Sequence, residues 1–458
     1  MKKLLFIFVF TAGLLQPVYA QLNSAFSQRL DNVFDSVCNR FKIKGATAAI
    51  VVPGQGIWER AHGISHPGSP ITTDMYMGIG SNTKTYFAVL MLKLQEQGKL
   101  DLDDTIGQWV QHPNIPGTIT IRQLLNHTSG LYSYTDNPGF DNYIFPDFTR
   151  IWPPDSVLNL VEVPNAAPGG AWEYSNTNYL VAGLIVRSVT GKTIQQALRD
   201  EILTPHGLTE TYFFPHETPP GTVPHSWSGN LSVNGSLEDL VATYSYSHNA
   251  MFSLASAAGA IMATAKDNAL FWDKLMAGQI LNSSSMTEFE TLVPISMGQG
   301  YGLGVFKLNS FNGRTIVTHG GTNFGFINEN LHEKVSGVSI AMLTNQDSIS
   351  NSVLLGGCIA ALHKVTIQYT DTRDIIYRHD DIYVWPNPAR DELFIDIINS
   401  DFAQQAVIYD MLGRQMLANG LQAGQNRLSL SNISSGTYIL NVLNGDNTVH
   451  RQKIQIIH

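Results

Sequence analysis

Charge is scarce in this sequence. Asp, Glu, Lys and Arg make up 14% of its 458 residues, and acidic groups outnumber basic ones 37 to 28, for a net charge of −9. So little charge beside 43% hydrophobic residues excludes a disordered, solvating chain, which lacks the apolar surface to fold. The acidic surplus opposes phosphate-led attraction, so nucleic acid is not an expected partner. Cysteine is nearly absent. Cys38 and Cys358 are too few for a small disulfide-stapled scaffold. They form one bridge if the two ends of the main domain lie side by side, or else remain two buried free thiols. After the first twenty residues no stretch is apolar for the roughly 18 to 20 residues that a membrane-crossing helix needs. His62 and His66 stand four apart, but without the helical pattern and following glutamate of a zinc site, so no metal and no cofactor is expected.

What is present begins with an address. Lys2 and Lys3 precede an apolar run over 4–15, and Val18-Tyr19-Ala20 offers the small residues that a signal peptidase cuts after. Residues 1–20 therefore read as a signal peptide cleaved after Ala20, and the product as a secreted or surface protein. At about 150 residues per domain, the length allows two or three domains. Composition shifts after about 365. From 381 to 458, short alternating runs are separated by turn signals such as Pro386-Asn387-Pro388 and Asn444-Gly445-Asp446, the pattern of a small all-β sandwich. The body spans 21–368 and the linker 369–380. The body opens with a helical pattern over 24–41 and strands over 46–52 and 57–61. It closes with strands over 301–308, 314–318, 325–328 and 335–343 and a helix over 353–363. Strands at both ends with helices between predict an α/β (α+β) fold: one antiparallel sheet flanked by helices, a helical insert subdomain, and a cleft between them.

Three segments carry candidate chemistry. Ser81 and Lys84 open an apolar helical run over 85–97, so they project from one face a turn apart. A hydroxyl attacks only when a neighbour takes its proton, and a desolvated lysine can be that neighbour. The start of the helix also turns the Ser81 N–H toward developing negative charge. Tyr174-Ser175-Asn176 follows the turn Pro168-Gly169-Gly170. A phenol beside a cation can move protons, and Asn176 can bind a substrate amide. In Thr318-His319-Gly320-Gly321-Thr322, the paired glycines mark a close backbone approach, with the Thr322 N–H as a second oxyanion donor. Each segment alone also reads as ordinary structure: a helix cap, an Asx turn and a glycine bulge.

Together, in the order Ser81, Tyr174, His319, these segments resemble the serine β-lactamase and penicillin-binding-protein superfamily. Its branch of class C β-lactamases, D-alanyl-D-alanine carboxypeptidases, D-aminopeptidases and esterases is the nearer one. The segment Ile121-Arg122-Gln123-Leu124-Leu125-Asn126-His127-Thr128-Ser129-Gly130-Leu131 and Thr190-Gly191 add to the likeness. It implies Ser81 as acylated nucleophile, Lys84 as its proton partner, Tyr174 as general base and later acid, and Asn176 as a substrate-amide ligand. It also places His319 and Gly321 along the cleft, with the N–H groups of Ser81 and Thr322 as the oxyanion hole. Most class C β-lactamases carry lysine and threonine where this chain has His319 and Gly320, so efficient β-lactam hydrolysis is not implied. The tail resembles the C-terminal sorting domain of type IX secretion, on Trp385-Pro386-Asn387-Pro388-Ala389, Val407-Ile408-Tyr409-Asp410-Met411-Leu412-Gly413-Arg414 and Ser435-Gly436-Thr437-Tyr438. That implies the secretion machinery as a partner.

The expected activity is acyl transfer on a small peptide, ester or β-lactam, with a D-amino-acid peptide of the carboxypeptidase type preferred over an ester. A non-catalytic surface module is the alternative of another class. Tyr244 and Tyr301 are taken as candidate substrate walls, and His127 as a structural corner.

Overall fold

Residues 46–52 read Ala-Thr-Ala-Ala-Ile-Val-Val, an almost unbroken small and β-branched run that suits a strand covered on both faces. The computed structural model describes residues 22–141, 147–230, 236–348, 350–370, 382–397, 405–422, 424–444 and 447–458. In it, Gly45–Val52 is that strand, buried at every position. Ala46, Ala48, Ile50 and Val52 face one core, and Ala49 and Val51 face the other. The period of two thus serves two layers of helix at once.

The strand pairs with Gly56–His66 on one side and with Ser339–Thr344 on the other, so the two ends of the body share one sheet. The antiparallel sheet continues through Phe326–Glu333, Arg314–Thr318, Phe306–Phe311 and Gln299–Tyr301 to Val293–Ser296. Gly321–Asn323 lies beside Arg314–Thr318 along the same partner strand. The single strand expected over 301–308 is broken in two, because Gly304 takes a left-handed φ of 72° between its halves.

One face of the sheet is covered by the first helix, Ser24–Arg40, and the last helix of the unit, Ala360–Thr370. The first buries Phe26, Leu30, Phe34, Val37 and Cys38, spaced three to four apart, and the Asn23 side chain caps its start. Phe26 stacks on Tyr369 with ring centres 3.8 Å apart. Cys38 and Cys358 share this layer and are free thiols, so the termini lie side by side without the bridge that such proximity allowed. Burial pushes the Cys358 thiol up to about 12 and that of Cys38 higher still, which keeps both unreactive.

The other face carries the helical insert, including Thr83–Glu96, Asn176–Thr190, His248–Ala255 and Ala265–Met276. Thr83–Glu96 is buried from Thr83 through Leu92, so it is a central rather than a surface helix.

The chain divides into two compact units at Tyr369 and Thr370. In the second unit, Ile382–Trp385, Glu392–Ile397 and Gly424–Ser429 form one sheet. Gln415–Gly420, Gln405–Asp410, Gly436–Asn444 and Asn447–Ile456 form another. Leu393, Ile395, Leu428, Ile408, Leu440 and Ile454, drawn from both sheets, share one core. The expected signal peptide and residues 371–380 of the expected linker lie outside the described residues.

Candidate active site

The approach of two glycines sets the corner that holds Ser81. Gly80 opens the tight turn Gly80–Asn82 with φ at 46°, a conformation that favours a residue without Cβ. The short strand Gly321–Asn323 runs directly against this turn. A Cβ on Gly321 would stand 2.1 Å from the Ile79 carbonyl oxygen and 2.5 Å from the Ser81 nitrogen, and one on Gly80 would stand 2.7 Å from the Thr322 nitrogen. The Asn328 side-chain amide donates to the carbonyls of Ile79 and Gly321, tying turn to strand. The backbone N–H groups of Ser81 and Thr322 are thereby brought to one corner, the arrangement that an oxyanion hole requires.

Lys84 is fully buried one turn into the helix. Its Nζ lies 3.0 Å from Ser81 Oγ, 2.8 Å from Asn176 Oδ1 and 2.8 Å from the Ala258 carbonyl oxygen. Burial drives its pKa well below the ordinary lysine value, since no carboxylate repays the desolvation of an ammonium. A neutral amine fits those three neighbours: two N–H bonds donate to the oxygens of Asn176 and Ala258, and the lone pair faces the Ser81 hydroxyl. The same amine stands 5.0 Å from the centre of the Tyr174 ring. Burial raises the Tyr174 phenol above its usual range, with a hydrogen bond to Ser81 pulling weakly the other way. Burial thus shifts both groups beside the hydroxyl toward their neutral forms.

Asn176 begins its helix with its side chain shared between Lys84 and Thr135, whose Oγ1 accepts from Nδ2 at 3.0 Å. His127, expected only as a corner, packs its ring 4.4 Å from that of Tyr174. Its Nδ1 accepts from the Ser175 N–H at 3.2 Å and lies 2.8 Å from Asn178 Nδ2, so the proton sits on Nε2 and the ring is neutral. Its left-handed φ of 61° marks a backbone position that the fold enforces.

Ser81, Asn176 and Thr322 line a cleft of about 280 Å³ with Tyr134, Phe140 and Phe324. His319 stands behind this wall. It is 2% exposed, with Nε2 3.1 Å from the Tyr301 hydroxyl and Nδ1 2.6 Å from the Gly320 carbonyl, and burial pushes its pKa down to about 3. It is therefore a neutral hydrogen-bonding group and not the cation that a phenolate would need. Gly321, also buried, builds the corner instead of lining the cleft. Neither tyrosine taken as a substrate wall lines it. Tyr301 is fully buried against His319, and the Tyr244 hydroxyl donates to Glu238 at 2.6 Å. Tyr134, Phe140 and Asp347, which do line it, carried no local signal in the sequence.

Comparison with known proteins gives the family and the fold. The family profile described as Beta-lactamase matches residues 24–353, and the one described as Secretion system C-terminal sorting domain matches 383–457. Penicillin-binding protein 4 of Amycolatopsis lactamdurans is 31% identical over 44% of this chain and 53% of its own length. Esterase EstB of Burkholderia gladioli is 30% identical over 47% and 59%. The chain thus spans between half and two thirds of the length of these curated relatives. A D-stereospecific amidohydrolase from a Streptomyces species superposes with a TM-score of 0.63 at 29% identity, covering 73% of this chain and 99% of that one. The D-amino acid amidase of Ochrobactrum anthropi, at 22% identity and a TM-score of 0.64, shares the fold, covering 77% of this chain and 100% of that one. With the profile match running through nearly the whole first unit, the chain belongs to the beta-lactamase family of serine hydrolases, and its terminal sorting domain marks it for export.

Proposed function

We propose that this exported protein hydrolyses amides or short peptides of D-amino acids through an acyl-enzyme on Ser81. The observation that carries the reading is the fully buried Lys84 amine, its pKa lowered by burial, 3.0 Å from the Ser81 hydroxyl. As Ser81 Oγ attacks the substrate carbonyl, its proton passes to the Lys84 lone pair, and the oxyanion forms between the N–H groups of Ser81 and Thr322. Tyr174, held protonated by its surroundings, delivers a proton to the leaving nitrogen and recovers one from the water that deacylates the enzyme, while Lys84 returns its proton to Ser81 Oγ as the acyl–oxygen bond breaks. The pair shares the proton among three atoms, so the base role that family resemblance gives to Tyr174 is divided with Lys84.

Two observations support the substrate class. The solved relative at 29% identity that this chain matches along nearly its full length is a D-stereospecific amidohydrolase. The described residues lining the cleft include no lysine or arginine to pair with a terminal carboxylate, which weighs against a D-alanyl-D-alanine carboxypeptidase and an efficient β-lactamase. An esterase of the same mechanism is the second reading, favoured by the relative EstB. A panel of D-alaninamide, a p-nitrophenyl ester, a D-Ala-D-Ala peptide and a chromogenic cephalosporin, compared by kcat/KM, tests the order. The amide is expected to lead. A fluorophosphonate probe that fails to label the wild type would remove the hydrolase reading and leave a surface binding module.

A further inference from the structure

We propose that Asn268, on a helix that contributes no described residue to the cleft lining, is a positioning residue for the oxyanion corner and acts through a one-way relay of side-chain amides. The relay joins Asn82, next to Ser81, to Asn268 on Ala265–Met276, and then to Asn330 and Asn328 on one face of the strand Phe326–Glu333. All four side chains are fully buried. Asn82 Nδ2 donates to Asn268 Oδ1 at 2.9 Å, Asn268 Nδ2 to Asn330 Oδ1 at 2.7 Å, and Asn330 Nδ2 to Asn328 Oδ1 at 2.8 Å. Asn328 Nδ2 then donates to the carbonyls of Ile79 and Gly321, the second at 3.2 Å.

The direction is fixed from both ends. At the start, the Trp272 indole can only donate, and its Nε1 stands 3.2 Å from Asn82 Oδ1. At the finish, carbonyl oxygens can only accept, and Asn330 Nδ2 meets a further one, that of His319, at 3.2 Å. No amide between them can turn over without setting oxygen against oxygen.

The last acceptors tie the relay to the reaction. The Gly321 carbonyl and the Thr322 N–H belong to one planar peptide, so whatever fixes the carbonyl also aims the N–H. The Ile79 carbonyl lies one peptide ahead of the one that carries the Ser81 N–H. A single donor shared between these two carbonyls holds both oxyanion donors at one spacing, and hydrogen bonds in series polarise one another toward that end. Asn351 Nδ2 is the longer contact to the Gly321 carbonyl, at 3.4 Å. Packing alone does not call for amides here, since apolar side chains would fill the same layer without the desolvation of polar groups. The catalytic part of this inference rests on the hydrolase reading above.

The test compares Asn268→Leu with Tyr86→Phe in the full chain. Leucine keeps the volume but neither donates nor accepts, so it cuts the relay. Tyr86 donates to the same Asn268 oxygen at 3.2 Å from outside the relay, and phenylalanine keeps the ring that stacks on Phe271. Active sites are titrated to completion with a fluorophosphonate, so that a misfolded fraction does not enter kcat. In Asn268→Leu, kcat per active site on a p-nitrophenyl ester is expected to fall by about tenfold or more, a part of what loss of a whole oxyanion donor brings, while KM stays within about twofold. Tyr86→Phe is expected to lower the Tm and leave kcat per site unchanged. An unchanged kcat per site in Asn268→Leu, a loss confined to KM, or equal losses in both variants would overturn the relay and leave the hydrolase intact. If Asn268→Leu does not fold, Asn82→Ala, which cuts the relay at its first link, is read in the same way. If the wild type neither takes the label nor cleaves the ester, the hydrolase reading fails, and backbone hydrogen exchange decides the relay alone. Faster exchange across 79–82 and 319–322 in Asn268→Leu but not in Tyr86→Phe supports it, and unchanged exchange, or an equal change in both, overturns it.

Discussion

Gly80 and Gly321 meet backbone to backbone, the position of a Cβ on Gly80 lying 2.9 Å from the Gly321 carbonyl carbon. This contact sets the spacing of the two N–H groups that receive the oxyanion, and neither residue can gain a side chain without opening it. Gly321→Ala is expected to lower kcat by about a hundredfold or more, the scale of losing one oxyanion donor, while KM changes little. Steady-state kinetics on an ester substrate check the split.

Lys84 must lose its proton to act, and its depressed pKa makes the neutral amine the form present at high pH. Activity is therefore expected to fall as pH is lowered through that pKa and to level off above it. Lys84→Arg, whose guanidinium stays charged, is expected to lose activity by about a thousandfold at every pH, measured as a kcat/KM profile.

Tyr174→Phe removes the phenolic proton while keeping the ring that packs on His127. A loss of about a hundredfold in amide hydrolysis is expected, with a smaller loss on p-nitrophenyl esters, whose leaving group needs no proton. An equal loss on both would move Tyr174 from the leaving group to the attack step.

His127→Ala strands the Ser175 N–H and leaves a void beneath Tyr174. Unfolding in urea is expected to show a loss of about 1–3 kcal/mol, the cost of an unmatched buried donor. His127→Asn, which tolerates the left-handed backbone and keeps an acceptor, should lose less.

Glu329 lies buried behind the oxyanion strand, 3.0 Å from Asn351 Nδ2, and burial raises its carboxyl from 4.5 to about 8. Between those values the folded state holds a proton that the unfolded chain has released. The stability tied to this proton is complete below pH 4.5 and is lost as pH rises through about 8. The wild-type Tm is therefore expected to fall across this range by several degrees more than that of Glu329→Gln, in parallel thermal melts.

Ser81 and Lys84 were legible in the sequence because one helical turn relates them and helical geometry is local. The sheet was legible for a similar reason, since period-two and unbroken apolar runs record how many faces of a strand are covered. Tyr301 and Tyr244 were misplaced as substrate walls because an aromatic in a loop carries no mark of which side it will face. The strand expected over 301–308 broke at Gly304 because a backbone angle, and not hydrophobicity, decided it. The places of Asp347 at the cleft and of His127 beneath Tyr174 were unreadable, since their meaning comes from neighbours more than a hundred and about fifty positions away, respectively.

The order of residues alone marked two bodies of different composition and a serine and lysine sharing a helix face. Those are properties of neighbours along the chain. Only the folded body decided that burial lowers the pKa of the lysine, that the histidine at 319 stays neutral, and that one carboxylate lines the cleft. Each depends on how much water and how many partners surround a group, and long-range packing sets both.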